Sequence, residues 1–241
     1  YLGVRPTHPE LLDWLASEFV EQGWRLKNLH RLMMLSTAYR QQSTRSPEKD
    51  AVDADNELLS RMAMRRLDAE SLRDAILVIT RKYNSHRYGP PVPVMADKVG
   101  QFVIGIENLN AGRPGAVLPM KGEDFRRSVY VQVRRSRPLG MLDTFDAAIL
   151  EPNCTMRTQS TVTPQALMMM NGRFVRTQSI YLAEQIQREV GKDLAPQVQR
   201  AWQLVYCRTA REQELNEAVE LLKQLVEHFE ELLADKEKAG D

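Results

Sequence analysis

Apolar residues recur at helical spacing over most of the chain. In "THPELLDWLASEFV", Leu11, Leu12, Leu15, Phe19 and Val20 mark one face of a helix. Thr7-His8-Pro9-Glu10 has the form of a capping box with proline in the first turn, and Gly23 is placed to stop the helix. A second helix is predicted over residues 26–42 from Leu29, Leu32, Met33, Leu35 and Tyr39, antiparallel to the first. "SPEKDAVDADNE" reads as an acidic connector, and Leu58, Leu59 and Met62 as a short helix after it. "LDAESLRDAILVITRKY" predicts a longer helix with Asp68 at its N-cap and Leu72, Ala75, Ile76 and Ile79 as its buried stripe.

The pattern changes at "YGPPVPV". From Tyr88 to about Pro138 the chain is rich in Gly, Pro and Val. "QFVIGIE" and "SVYVQV" read as strands joined by a loop containing Asn110, Gly112, Pro114 and Gly115. Val129, Val131 and Val133 alternate with Tyr130 and Gln132, which predicts one apolar strand face. "PLGMLDTFDAAILEPNCTMRTQSTVTP" is irregular and long for a connection. Helices resume at "TPQALMMMN", with Thr163 as N-cap, then over about 173–190, then at "VQRAWQLVYCR". A second capping box, Thr209-Ala210-Arg211-Glu212, opens the last helix, whose end "ADKEKAGD" reads as a fraying terminus. The expected fold is mainly α, a single helical domain over 1–241 with a small antiparallel β-sheet inserted in the middle. It divides into a helical half (1–87), a β insert (88–138), and an ordered loop with a second helical half (139–241).

Composition changes little in this picture. The chain is 43% hydrophobic and 27% charged, so a core is expected. Its 33 basic and 32 acidic residues give a net charge of +1, which argues against a dedicated nucleic-acid binder. No apolar run approaches the ~20 residues of a membrane span. The chain opens "YLGVRPTHP" without Met, as an excerpt truncated before Tyr1 would. Cys154 and Cys207 are too far apart for a CxxC motif. Two isolated thiols and, in an extracytoplasmic setting, one disulfide both fit.

Candidate chemistry is sparse. There is no GxSxG, HExxH, P-loop or GxGxxG pattern. His8, His30, His86 and His228 lie in separate segments, and His8 suits helix capping better than metal ligation. Met168, Met169 and Met170 suit core filling better than haem or copper ligation. The arginine doublets Arg126-Arg127 and Arg134-Arg135 flank the valine run. Along a strand, Arg127 and Arg134 would lie about 23 Å apart. They are either solvated strand ends or arginines that pair with carboxylates or bind an anion. The densest polar segment runs from Asp143 to Asn171. It is either an ordered loop satisfied by its own side chains or an anion site at the Thr163 helix N-terminus, with Arg157, one doublet, and Asp143 or Asp146 for acid–base work. The loop is expected to dock on the strand through a pairing of Asp143 or Asp146 with Arg134 or Arg135.

The order of "RPTHPELLDWLASEF", "LHRLMMLSTAYRQ", "RRLDAESLRDAIL", "FRRSVYVQVRRSRP", "TFDAAILEPNC" and "TVTPQALMMMN" resembles the planctomycete PSD-one domain, a family known as a domain of unknown function. The similarity covers essentially the whole chain. It implies a domain at the C-terminal end of large exported proteins, preceded by a haem-binding cytochrome-c-like domain and a second uncharacterised domain. An extracytoplasmic location is therefore expected, with haem in an upstream domain and no cofactor in this chain. The implied partners are other domains of the same polypeptide and a redox or cell-envelope protein. The chain departs from the family in lacking a segment before "PTHPELL", in having Val131, Gln132 and Val133 where aromatics are usual, and in having Asn171-Gly172 where Asn-Asp or Asn-Pro is usual. Two functions follow: a non-catalytic packing or interaction module, or an enzyme or binding domain for anionic extracellular carbohydrate, using Arg126, Arg127, Arg134, Arg135 and Arg157.

Overall fold

The computed structural model describes residues 5–108, 117–148, 157 and 159–239, with side chains to residue 233. The loop with Asn110, Gly112, Pro114 and Gly115 lies outside the described residues, as does Cys154. The chain is mainly α and forms two compact units, residues 1–66 and 67–241. No helix among the described residues is long and apolar enough to cross a membrane.

The first unit holds α1 (Pro9–Glu21), α2 (Leu26–Leu35) and α3 (Pro47–Val52). His8, not Thr7, is the N-cap of α1, and the Thr7 hydroxyl meets His8 Nδ1 at 2.9 Å instead of a backbone N–H. The C-terminus ends as Gly23 predicts. Gly23 N–H donates to Val20 O at 3.0 Å and Trp24 N–H to Phe19 O at 2.9 Å, with Gly23 at φ 72°. The Trp24 ring then packs edge-on against Phe19. α2 stops at Leu35, short of residue 42, because the Ser36 side chain turns the chain by bonding Met33 O and receiving Tyr39 N–H.

α3 lies in the expected connector, and the helix expected at Leu58–Met62 is absent. Buried Asp53 explains the missing helix. Its carboxylate accepts the N–H groups of Glu57 and Leu58 at 2.8 and 2.9 Å, folding the backbone back on itself. Arg61 closes the knot on Ala54 O at 2.8 Å and Asp50 at 3.0 Å.

The second unit is built on α4 (Ala69–Ile79), which begins at Asp68 as expected. Its most buried positions are Ala69, Arg73 and Leu77, with Leu72 and Ile76 packing beside them. An arginine therefore occupies the centre of the buried stripe. Two antiparallel hairpins follow, β1 (Val94–Ala96) with β2 (Phe102–Ile104) and β3 (Ile106–Glu107) with β4 (Val117–Leu118). Gly105 joins β2 to β3, where a Cβ would stand 2.8 Å from Met95 Sδ.

The expected strand Val129–Val133 does not form. Glu123–Phe125 and Ser128–Tyr130 are 3-10 turns, and only Val131 touches a strand-like partner, Val92. Val131 is 6% exposed, while Val129 and Val133 are 70% and 72% exposed. Alternation placed three valines on one face, and the turn at Ser128 swings Val129 away from it.

α5 (Gly140–Thr144) lies inside the segment read as irregular. α6 (Thr163–Asn171), α7 (Arg173–Val190), α8 (Leu194–Tyr206) and α9 (Glu212–Ala239) pack in sequence. Leu142 joins the two core clusters, one centred on Val92, Val94, Val131 and Leu139, the other on Ala69, Met141 and Phe145. Met168 enters the second cluster, whereas Met170 is exposed. Two caps differ from expectation. Val162 precedes α6 with Thr163 as its first residue, and Arg211 precedes α9, where Glu214 rather than Thr209 takes the capping bond, from Arg211 N–H at 2.9 Å. The end read as fraying is helical to Ala239.

α6 runs into α7 with only Gly172 between them. A Cβ there would lie 2.5 Å from Met168 O, a backbone atom that cannot rotate away. Gly172→Ala is expected to cost about 1–3 kcal/mol in urea unfolding. An unchanged midpoint would show that the junction opens freely.

Candidate functional site

The stretch "DFRRSVY" wraps around α4. Arg73 is 1% exposed, and its guanidinium donates to Arg126 O at 2.9 Å, Ser128 Oγ at 3.2 Å and Asp124 O at 2.7 Å. It also stands 5.4 Å from the Phe174 ring of α7. Burial pushes Arg73 down to about 10, partly offset by Asp74 and Asp124, so it remains charged near neutrality. Neighbouring Asp74 accepts both the N–H and the hydroxyl of Ser128 at 2.7 Å. These bonds force the turn that replaces the strand.

The sequence-predicted arginines separate. Arg126 is 1% exposed and donates to Pro90 O at 3.0 Å, to Tyr88 O, and to Glu123 at 3.2 Å, with the Tyr130 ring 4.2 Å away. Arg127 lies 3.5 Å from Asp74 on the exposed side. Arg134 and Arg135 lie exposed at the following turn. Arg157 forms a two-pronged pair with Glu70 of α4 at 2.7 and 3.1 Å. Asp146, at φ 59°, accepts Ser160 N–H at 2.8 Å and the Ser160 hydroxyl at 2.9 Å. The described end of the long segment is thus drawn in by Ser160 on Asp146 and Arg157 on Glu70. Buried Gln165 fastens it further, donating to Thr144 O at 3.1 Å. Asp143 is exposed on α5, and Thr163 is exposed at the start of α6.

The Arg157 hydrogen bond holds the Glu70 carboxyl below the usual carboxylate range, against the opposing effect of burial. The unfolded chain binds its proton at higher pH than the folded one does. The pair therefore contributes in full above the usual carboxylate range and fades as pH falls through the depressed folded value. Its side chains are 36% and 32% exposed, so Glu70→Gln should cost at most about 1 kcal/mol at neutral pH. In melts followed against pH, variant and parent should converge on the acid side. A gap that persists there would show that the charge is not what matters.

A groove of about 700 Å³ lies in the second unit. Two runs of four consecutive residues, Gln101–Ile104 and Val117–Met120, form one wall. Residues of α5 and the facing sides of Met168, Phe174 and Tyr181 form the other. Gln178 and Thr80 clamp α7 to α4 beside it, amide oxygen to hydroxyl at 2.7 Å. The groove is mostly apolar, with the charged residues Arg73, Asp97, Asp124, Asp143 and Arg173 also along its lining, and it is in the size range of ligand and peptide sites. A smaller polar hollow of about 370 Å³ lies at the end of α4. Arg81 pairs there with Glu189 at 2.6 Å, and Lys82 rests 4.0 Å from the Tyr181 ring.

Sequence reasoning missed the groove and Arg73. The groove gathers short segments distant in sequence. Arg73 did carry a signal, a charged residue four positions from both Ala69 and Leu77 on an apolar helix face. Cys207 is an exposed free thiol, and no group of three or more His, Cys, Asp or Glu able to hold a metal occurs among the described residues.

A family model described as PSD1, protein of unknown function (DUF1553), matches residues 1–222, and the chain belongs to that family. No curated protein and no solved structure matches it.

Proposed function

We propose that this chain is a non-catalytic packing and interaction module, seated against neighbouring domains of a larger exported protein that carries a haem domain. One observation carries the proposal. α1 and α2 bury none of their residues, although Leu11, Leu12, Trp14, Val20, Leu26, Met34 and Leu35 lie on them and are exposed. Monomeric surfaces seldom leave so many large apolar side chains together in water. The arginines of the carbohydrate reading support the same choice. Arg126, Arg127 and Arg157 are engaged with backbone carbonyls or carboxylates of the chain itself. The extracytoplasmic setting, the planctomycete-type context and the haem neighbour enter through the resemblance of the motifs.

Trp14 and Trp24 are the natural reporters, both being exposed. In a Trp202→Phe background, acrylamide should quench them strongly in the chain alone. Adding or fusing the haem-bearing neighbour should at least halve that quenching and transfer tryptophan emission to the haem. Unchanged quenching and emission would overturn the proposal.

A further inference from the structure

Among the described residues, β2 has a strand partner on one side only, β1. Its register can be read from the flanking bonds. Asp97 N–H donates to Gln101 O at 2.8 Å and Gly105 N–H to Pro93 O at 3.1 Å. Main-chain groups alternate in direction along an antiparallel strand. Residues 101, 103 and 105 therefore face β1, and the N–H and C=O groups of Phe102 and Ile104 face away from it. Among the described residues these outward groups meet no hydrogen-bond partner. They open into the groove, since Gln101, Phe102, Val103 and Ile104 all line it, as a strand seen edge-on must. Gly140 on the opposite wall adds no side chain, and a Cβ there would stand 3.3 Å from Phe102 O.

An unpaired edge inside a mostly apolar groove has a specific complement. Water satisfies the edge but not the apolar walls, and a lipid chain satisfies the walls but not the edge. An extended peptide satisfies both. We infer that the outer edge of β2 takes a short extended segment of a partner polypeptide as an added strand. Phe102 and Ile104 supply two N–H donors and two C=O acceptors to it. Because side chains alternate, every second residue of the segment points at Met141, Met168 and Phe174, and those residues are apolar. The segment carries no proline at its bonding positions. The inference deepens the interaction-module reading and rests on it, in that both need a polypeptide partner. It concerns a different surface from α1 and α2.

The test uses the whole chain, backbone amide exchange by NMR, and the probe acetyl-Thr-Val-Thr-Val-Thr-Val-amide. A second probe has the same sequence with N-methyl groups on alternate residues, which removes the bonding N–H groups and keeps the side chains. At saturation the first probe should slow exchange at Phe102 and Ile104 at least tenfold, and the second should leave both unchanged. Gly140→Leu, which fills the space before Phe102 O, should weaken the first probe at least tenfold. If that variant fails to fold, the comparison of the two probes on the parent chain decides. Equal binding of both probes would mean a purely apolar groove and would overturn the inference. No protection at Phe102 and Ile104 would overturn it as well. Tryptophan shielding at Trp14 and Trp24 reads the module proposal separately, so either can fail while the other stands.

Discussion

Arg73→Ala is expected to remove about 3–5 kcal/mol of stability from the second unit, the range for breaking one side of a buried charged network. The guanidinium of Arg73 serves two main-chain carbonyls, Arg126 O and Asp124 O, and one hydroxyl, Ser128 Oγ. Truncation takes the donor from all three, and the bonds to Arg126 O and Ser128 Oγ are buried. It also leaves Asp74 without its buried cation, Arg73 Nη1 at 3.7 Å, and with exposed Arg127 at 3.5 Å, while Asp74 still holds the Ser128 turn. Domain stabilities of roughly 5–15 kcal/mol make this a large share of the total. The measurement is urea unfolding followed by far-ultraviolet circular dichroism. Arg73→Met, which refills the volume but not the bonds, should recover only a minor part. A cost below about 1 kcal/mol for either variant would mean that water replaces the guanidinium, and the wrapping of "DFRRSVY" around α4 would lose its explanation.

That wrapping also marks where the sequence stops being legible. Helices whose apolar stripe is long and continuous were readable in place. α7 spans Arg173–Val190 as its periodicity predicts, and α4 begins after Asp68. The valine run misled because alternation is a local signal, whereas the bonds that bend it come from Arg73 and Asp74, more than 50 positions away. β1 was hidden by the prolines of "PPVPVMA", which read as punctuation although Val92 and Val94 are among the most buried residues. The three Thr caps failed for a common reason. Capping depends on where the first turn starts, and the structure places His8, Val162 and Arg211 at the starts instead. The groove was beyond reach, because its two walls come from hairpins and helices whose pairing no periodicity encodes. Arg157 ties the long segment to α4 through Glu70, and Asp146 holds Ser160 within the segment itself.

Arg126→Ala should cost about 3–5 kcal/mol and Arg126→Lys nearly as much, because a lysine ammonium cannot reproduce the planar fork. Arg126 reaches Tyr88 O, Pro90 O and Glu123 from one guanidinium lying over the Tyr130 ring. The side chain thereby ties the start of the β insert to the turn before Ser128. Its own carbonyl accepts from Arg73, so the two arginines form one network. A double-mutant cycle of Arg73→Ala with Arg126→Ala should give a total loss smaller than the sum of the single losses, by roughly 1–3 kcal/mol. The same position separates the two readings of the arginine-flanked stretch. A surface anion site would leave stability nearly untouched by Arg127→Gln or Arg134→Gln and would make added sulfate protect the parent more than those variants. The observed bonding predicts otherwise. Sulfate should raise the melting temperature of the parent, Arg127→Gln and Arg134→Gln equally, through exclusion from the surface, while only Arg126 variants lose several kcal/mol. A sulfate response that vanishes on replacing Arg127 or Arg134, with Arg126→Ala near neutral, would return these residues to anion binding and remove Arg126 from the fold's framework.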